Sequence, residues 1–210
     1  MARITELKEG KRRSQRINVF LDGRFAFSLD AEVVAKEGLA VGQELSPREI
    51  EVLTSTDQFQ RGMNAAAQLL SYRPRSESEV KERLLRRGFN EDSIGSVITK
   101  LKEQGLVDDT AFAQFWKENR ESFSPRSQRM TRLELRRKGV ASEVIDRAVG
   151  DIDENESAYR AAIPKVRHLK SAEYDVFRRR LGEYLRRRGF NYEVINRTVA
   201  KMWQERESLG

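Results

Sequence analysis

Three segments of this chain repeat one another about every fifty residues, and that spacing limits the folds open to it. Leu84-Leu85-Arg86-Arg87-Gly88-Phe89, Leu135-Arg136-Arg137-Lys138-Gly139-Val140 and Leu185-Arg186-Arg187-Arg188-Gly189-Phe190 line up, with glycines 51 and 50 positions apart. Six residues past each glycine stands Ile94, Ile145 or Ile195. Ten past it stands Ile98, Val149 or Val199, and thirteen past it Leu101, Ile152 or Met202. Matched apolar positions at equal spacing are the mark of a repeat array, whose units bury their apolar faces against their neighbours.

Each unit has the same local logic. A helix runs into Leu-x-x-x-Gly, where the glycine takes the left-handed position that stops it. Another helix follows, with Asn90, Ser142 and Asn191 as expected N-caps and apolar residues three and four apart. Upstream, Ser76-Glu77-Ser78-Glu79 reads as a capping box, Ser124-Pro125 as an N-cap before a first-turn proline, and Ser171 as the start of the last long helix. The spacing predicts three three-helix modules over 54–105, 106–153 and 154–210. Pro164 falls inside the helix expected from Glu156 to His168 and predicts a kink or early stop there.

Residues 1–53 read differently. Ile17 to Leu21 and Arg24 to Leu29 are β-prone runs joined by Asp22-Gly23, a strong hairpin signal because both turn residues must reach positive φ. Ile4 to Leu7 adds a third strand. Ala31 to Lys36 reads as a short helix ended by Gly38, and Ser46-Pro47-Arg48-Glu49 opens another with a capping box. The predicted fold class is therefore mainly α: a tandem array of three three-helix repeat modules preceded by a small N-terminal β-hairpin region.

Composition agrees with an array. Hydrophobic residues make up 38% and charged residues 35%, lean for one compact core. Residues 1–53 are neutral, so residues 54–210, with 31 Lys/Arg against 24 Asp/Glu, carry all of the +7 net charge and suggest an anionic partner. The absence of cysteine excludes disulfides, zinc–thiolate sites and thiol nucleophiles, and the single histidine, His168, argues against multi-histidine metal sites. Met1 to Gly10 has no apolar signal core, and no stretch approaches the roughly 20 apolar residues that span a bilayer. The expectation is a cytoplasmic monomer with no cofactor, no metal and no membrane contact.

One ordered set of motifs resembles the RecX family: Leu69-Leu70-Ser71-Tyr72-Arg73-Pro74-Arg75-Ser76, then Glu79-Val80, then Leu84 to Phe89, then Gly105-Leu106-Val107-Asp108-Asp109-Thr110-Ala111-Phe112-Ala113, closing with Phe115 and Arg120. The resemblance is close in the first module, and the repeats carry it to about residue 204. It implies an all-α array of three three-helix modules and a modulator, usually negative, of the RecA recombinase. RecX proteins are described as lying in the groove of the RecA–DNA filament, limiting its growth and ATPase activity. Phe123-Ser124-Pro125 stands where many relatives have glycine, and Pro164 also departs from the family pattern; both bear on the joint between the second and third modules.

Each motif has a structural reading beside a functional one. Arg73-Pro74-Arg75-Ser76 reads first as a turn with Ser76 capping the next helix, and second as an anion contact through Arg75. Asp108-Asp109 reads as an N-cap and not as a metal pair. The aromatics Phe112, Phe115, Trp116, Phe177, Tyr184 and Trp203 read as core rather than as base-stacking groups. The basic clusters favour function. Arg129, Arg132 and Arg136 share one helix face, with Met130 and Leu133 expected on its apolar side. Arg86-Arg87, Arg136-Arg137-Lys138 and Arg186-Arg187-Arg188 occupy one slot in all three modules. With Arg75, Lys81 and Arg126 they form a candidate basic stripe for the RecA filament and for single-stranded or duplex DNA with low sequence specificity. The rival reading is a sequence-reading helix-turn-helix module. Neither a phosphate loop nor a nucleophile–base pair is present, so no enzyme is expected.

Overall fold

The structure is a computed structural model and describes residues 1–10, 15–169 and 171–206. The end predicted for the third module, at 210, lies outside the described residues. Two compact units divide the chain: residues 1–73 with 80–104, and residues 74–79 with 105–210.

The first unit opens with an antiparallel sheet of β1 (Ala2–Glu9), β2 (Arg16–Leu21), β3 (Arg24–Asp30) and β4 (Glu44–Leu45), in the order β3-β2-β1-β4. Leu21 pairs with Arg24, and Asp22 and Gly23 adopt φ of 48° and 81°, the left-handed pair a two-residue hairpin turn requires. The expected strand at Ile4–Leu7 lies within β1. The two residues of β4 were not foreseen. Helix α1 (Ala31–Lys36) leads into this edge. Helix α2 (Pro47–Leu70) starts on the predicted capping box: the Glu49 amide donates to Ser46 Oγ at 3.2 Å and the Ser46 amide to Glu49 Oε2 at 2.7 Å.

The first half of α2 belongs to the sheet. Its Leu53 joins Ile4, Val19, Leu29, Val33 and Leu45 in one buried cluster. Beside it Asp57, 2% exposed, accepts from both terminal nitrogens of Arg16 at 3.3 and 3.1 Å and from the Asp30 amide at 2.6 Å. Such partners are what make a buried carboxylate tolerable. Further along, α3 (Glu77–Arg86) buries Val80 and Leu84, and α4 (Glu91–Glu103) buries Ile94, Val97, Ile98 and Leu101. Gly62 lets α2 and α4 approach closely, since a Cβ there would lie 2.8 Å from Val97 Cγ2.

The second unit holds two helix trios. The first is α5 (Asp109–Phe123), α6 (Gln128–Arg137) and α7 (Ser142–Val149); the second is α8 (Glu154–Val166), α9 (Tyr174–Arg187) and α10 (Tyr192–Glu205). Each has its own core. Phe112, Ala113, Leu135, Ile145 and Val149 centre one, and Ala158, Ala162, Phe177, Leu181, Leu185 and Met202 centre the other. Helix α8 carries Pro164 inside its last turn and ends at Val166, two residues before the expected His168.

Several caps differ from expectation. Asn90 and Asn191 cap α4 and α10, but Ser142 is the first residue of α7, and Ala141, with no side-chain acceptor, holds the N-cap. The cap falls two residues past each glycine, and the second module simply has alanine there. Helix α6 is capped by Ser127 and not by Ser124, whose hydroxyl accepts from Arg188 at 3.0 Å. Helix α9 starts at Tyr174 and not at Ser171, because Arg206 holds the Ala172 carbonyl at 3.0 Å outside the helix. On α6 the buried stripe is Thr131 and Leu135; Leu133 is exposed.

A recurring joint appears at two helix starts in this unit. Ser76, the cap of α3, donates through Oγ to the Lys138 carbonyl at 2.5 Å, while the Glu77 amide donates to Asp109 Oδ1 at 2.8 Å. At Ser127, the cap of α6, the amide donates to the Arg188 carbonyl at 3.2 Å, and the Gln128 amide to Glu154 Oε1 at 2.6 Å. In both, a glycine presses on the serine turn. A Cβ on Gly139 would collide with Ser78, and one on Gly189 would lie 2.5 Å from Ser127 Oγ. Both caps stand twelve residues before the glycine that ends their helix. Helix α9 starts a turn earlier, and the residue twelve before Gly189 is Phe177, fully buried with its amide bonded to the Glu173 carbonyl at 2.9 Å.

Candidate nucleic-acid interface

Of the thirteen basic residues singled out in the sequence, eight have a partner in the fold, though Lys81, Arg86 and Arg87 among them remain exposed. Lys138 pairs with Glu79 at 2.7 Å and lies 4.2 Å from the Trp116 ring centre. Arg188 donates to Ser124 Oγ and the Pro125 carbonyl and stacks on Tyr184. Arg126 pairs with Glu134 at 3.1 Å and Arg132 with Asp146 at 3.3 Å. Arg86 pairs with Glu82, and Arg87 reaches Gln68 at 3.5 Å. Arg75 and Lys81 are engaged as well.

The remaining five, Arg129, Arg136, Arg137, Arg186 and Arg187, are exposed and make no ion pair or hydrogen bond among the described residues. All five lie in the second unit, on α6 and α9. Four sit in the last turn of their helix, where the carbonyl end of the dipole favours cations. Arg129, Arg132 and Arg136 meet around one depression with Met130, Leu133 and Glu154. Burial raises the Glu154 carboxyl above its ordinary pKa, while the Gln128 amide and the Arg129 charge pull the other way. A second depression, between α9 and α10, gathers Arg186 with Arg178 and Arg179. Arg178 and Arg179 lie outside the predicted stripe, although the run Arg178-Arg179-Arg180, exposed throughout, was the available signal.

The other motifs are structural. Asp108 accepts from the Thr110 and Ala111 amides at 2.7 and 3.2 Å, and Asp109 belongs to the joint. Ser76 Oγ accepts from the Glu79 amide at 3.1 Å. Phe112 and Phe177 are core, and Trp116 and Trp203 already carry cations from Arg120, Lys138 and Arg206. Among the described residues, no three His, Asp or Glu gather as a metal site would require, and no helix is long and apolar enough to cross a membrane.

Four family models match in succession: the regulatory protein RecX N-terminal domain at residues 2–46, and the first, second and third RecX three-helix domains at 63–101, 108–149 and 152–199. The regulatory protein RecX of Clostridium botulinum (strain Eklund 17B / Type B) is 33% identical over 204 residues, 95% of each chain. The chain belongs to the RecX family. The RecX of Bacillus subtilis (strain 168) is 29% identical over 208 residues, 97% of this chain and 78% of its own. A crystal structure of regulatory protein RecX superposes with a TM-score of 0.63 at 25% identity, covering 94% of this chain and 98% of that one. RecX from Lactobacillus salivarius shares the fold, with a TM-score of 0.60 over 71% of this chain and 99% of its own. The N-terminal sheet is thus part of the RecX match, and each helix trio carries one of its three-helix domains.

Proposed function

We propose that this chain regulates RecA by binding along the RecA–DNA filament through the exposed arginines of its second and third modules, and that it inhibits filament activity without chemistry of its own. The observation that carries the reading is the split within the repeated slot. Lys138 and Arg188 are built into the fold, while Arg136, Arg137, Arg186 and Arg187 face solvent at matching positions. Repeated guanidinium pairs suit a polymeric anion, DNA or an acidic filament surface, because each can take a phosphate or carboxylate. A sequence-reading helix-turn-helix fits less well. Helices α4, α7 and α10 all carry acidic residues in their first turn, where a reader needs groups that approach base edges and phosphates.

The test is ATP hydrolysis by RecA on single-stranded DNA, titrated with the full chain. Turnover falls at equal or lower concentration of the chain, which hydrolyses no ATP itself; unchanged turnover across the titration would refute the reading. A variant with Arg129→Gln, Arg136→Gln and Arg137→Gln inhibits less. Its binding to single strands loses about two units of salt-dependence slope, at roughly 0.7 per phosphate contact.

A further inference from the structure

The third module has a groove at positions where the second module carries an ion pair across its helices. Counted from the glycine that ends the preceding helix, Gly182 stands where the second module has Arg132, Asn196 where it has Asp146, and Tyr192 where it has Ser142. Arg132 and Asp146 join across α6 and α7 at 3.3 Å. In the third module no side chain leaves position 182, and a groove opens between α9 and α10 over Ile195 and Val199. A glycine inside a helix is about 1 kcal/mol less favourable than alanine. Packing does not require it here, because a Cβ on Gly182 would meet only Ile195 Cγ2, at an ordinary 3.7 Å. What the glycine secures is the opening.

The surroundings identify the guest. Three exposed guanidinium groups, Arg178, Arg179 and Arg186, line the groove against two carboxylates, Asp175 and Glu183. Tyr192, the first residue of α10, is 72% exposed at the wall of the groove. Its hydroxyl lies beside Asn196 and the Arg178 charge, which together hold it below its ordinary pKa. An exposed aromatic ring beside an apolar floor takes a planar group, and the guanidinium groups beside it take anions. A nucleotide offers both surfaces. An acidic peptide would use the arginines and leave the ring and floor idle.

We propose that the α9/α10 groove holds one nucleotide of a single-stranded nucleic acid, its base against Tyr192 and the Ile195–Val199 floor and its phosphates on Arg178, Arg179 and Arg186. The assignment rests on the reading of the basic faces as nucleic-acid contacts, and gives that reading a base-contacting site.

The test compares a fifteen-residue oligodeoxythymidylate with an abasic strand of the same length and charge, each titrated against the full chain. The wild type prefers the thymidylate strand. Tyr192→Ala lowers thymidylate affinity by about 5- to 150-fold, the range for loss of one base–aromatic stack, and leaves abasic binding unchanged. Tyr192→Phe keeps the preference. Gly182→Arg with Asn196→Asp, which transplants the second module's pair at constant net charge, abolishes it; thermal melts confirm that each variant is folded. Equal wild-type affinity for the two strands would overturn the groove and leave the basic-face reading standing. Failure to bind either strand would overturn both. Binding of a polyglutamate peptide that Tyr192→Ala abolishes, with no strand preference, would assign the groove to protein and refute the proposal.

Discussion

Replacing Gly189 by alanine separates two roles of that residue. Its φ of +92° is costly for any residue with a Cβ, and the added carbon would lie 2.5 Å from Ser127 Oγ and 3.0 Å from Met130 Cβ. Gly105 is the control in the same unit. Its φ is +68°, but a Cβ there meets nothing within 4 Å. Gly105→Ala therefore pays only the left-handed strain, about 1–2 kcal/mol. Gly189→Ala adds overpacking of the serine turn, about 1–3 kcal/mol, for a total of about 2–5 kcal/mol. Urea unfolding followed by tryptophan fluorescence reads both variants, because Trp116 and Trp203, the chain's two tryptophans, lie in this unit. Equal destabilisation by the two substitutions would refute the idea that Gly189 is selected by the joint as well as by its own helix end.

Three further outcomes are expected. Ala141→Asn supplies the cap acceptor that α7 lacks and raises stability by about 0.5–2 kcal/mol in the same urea assay. Asp57→Ala strips Arg16 and the Asp30 amide of their acceptor and costs about 3–5 kcal/mol, seen as early loss of the β signal in thermal circular dichroism. Glu154 binds a proton more tightly folded than unfolded because burial raises its pKa, so its contribution to stability falls as pH rises from its ordinary value through the raised one. Glu154→Gln keeps an acceptor for the Gln128 amide and flattens that part of the pH–stability curve.

The repeat was legible because its signals are local: a left-handed glycine, apolar residues three and four apart, and Asn90 and Asn191 at fixed offsets. Asp22-Gly23 announced the hairpin for the same reason. What failed depends on partners far along the chain. Ser124 looks like a cap beside Pro125, yet Arg188, 64 residues on, takes its hydroxyl, and Ser127 caps instead. Strand β4 exists only because β1 pairs with it. The basic slot was visible, but not its division, since Lys138 meets Glu79 and Arg188 meets Pro125 only in the folded chain. Tyr192 stood one residue past a recognised cap and drew no notice, because exposure cannot be read from spacing.

The early start of α9 leaves the third module without the joint that the two other middle helices carry. The joint is nearly free of side-chain vocabulary: a serine turn, a main-chain carbonyl, a glycine, and one acid at the start of the following module's first helix. The turn is the part that the middle helix itself must offer. Helix α9 offers none, because the position that is Ser76 or Ser127 in its siblings is Phe177, sealed inside a continuous helix. One added helical turn thus removes from the third module the serine turn on which the other two joints are built.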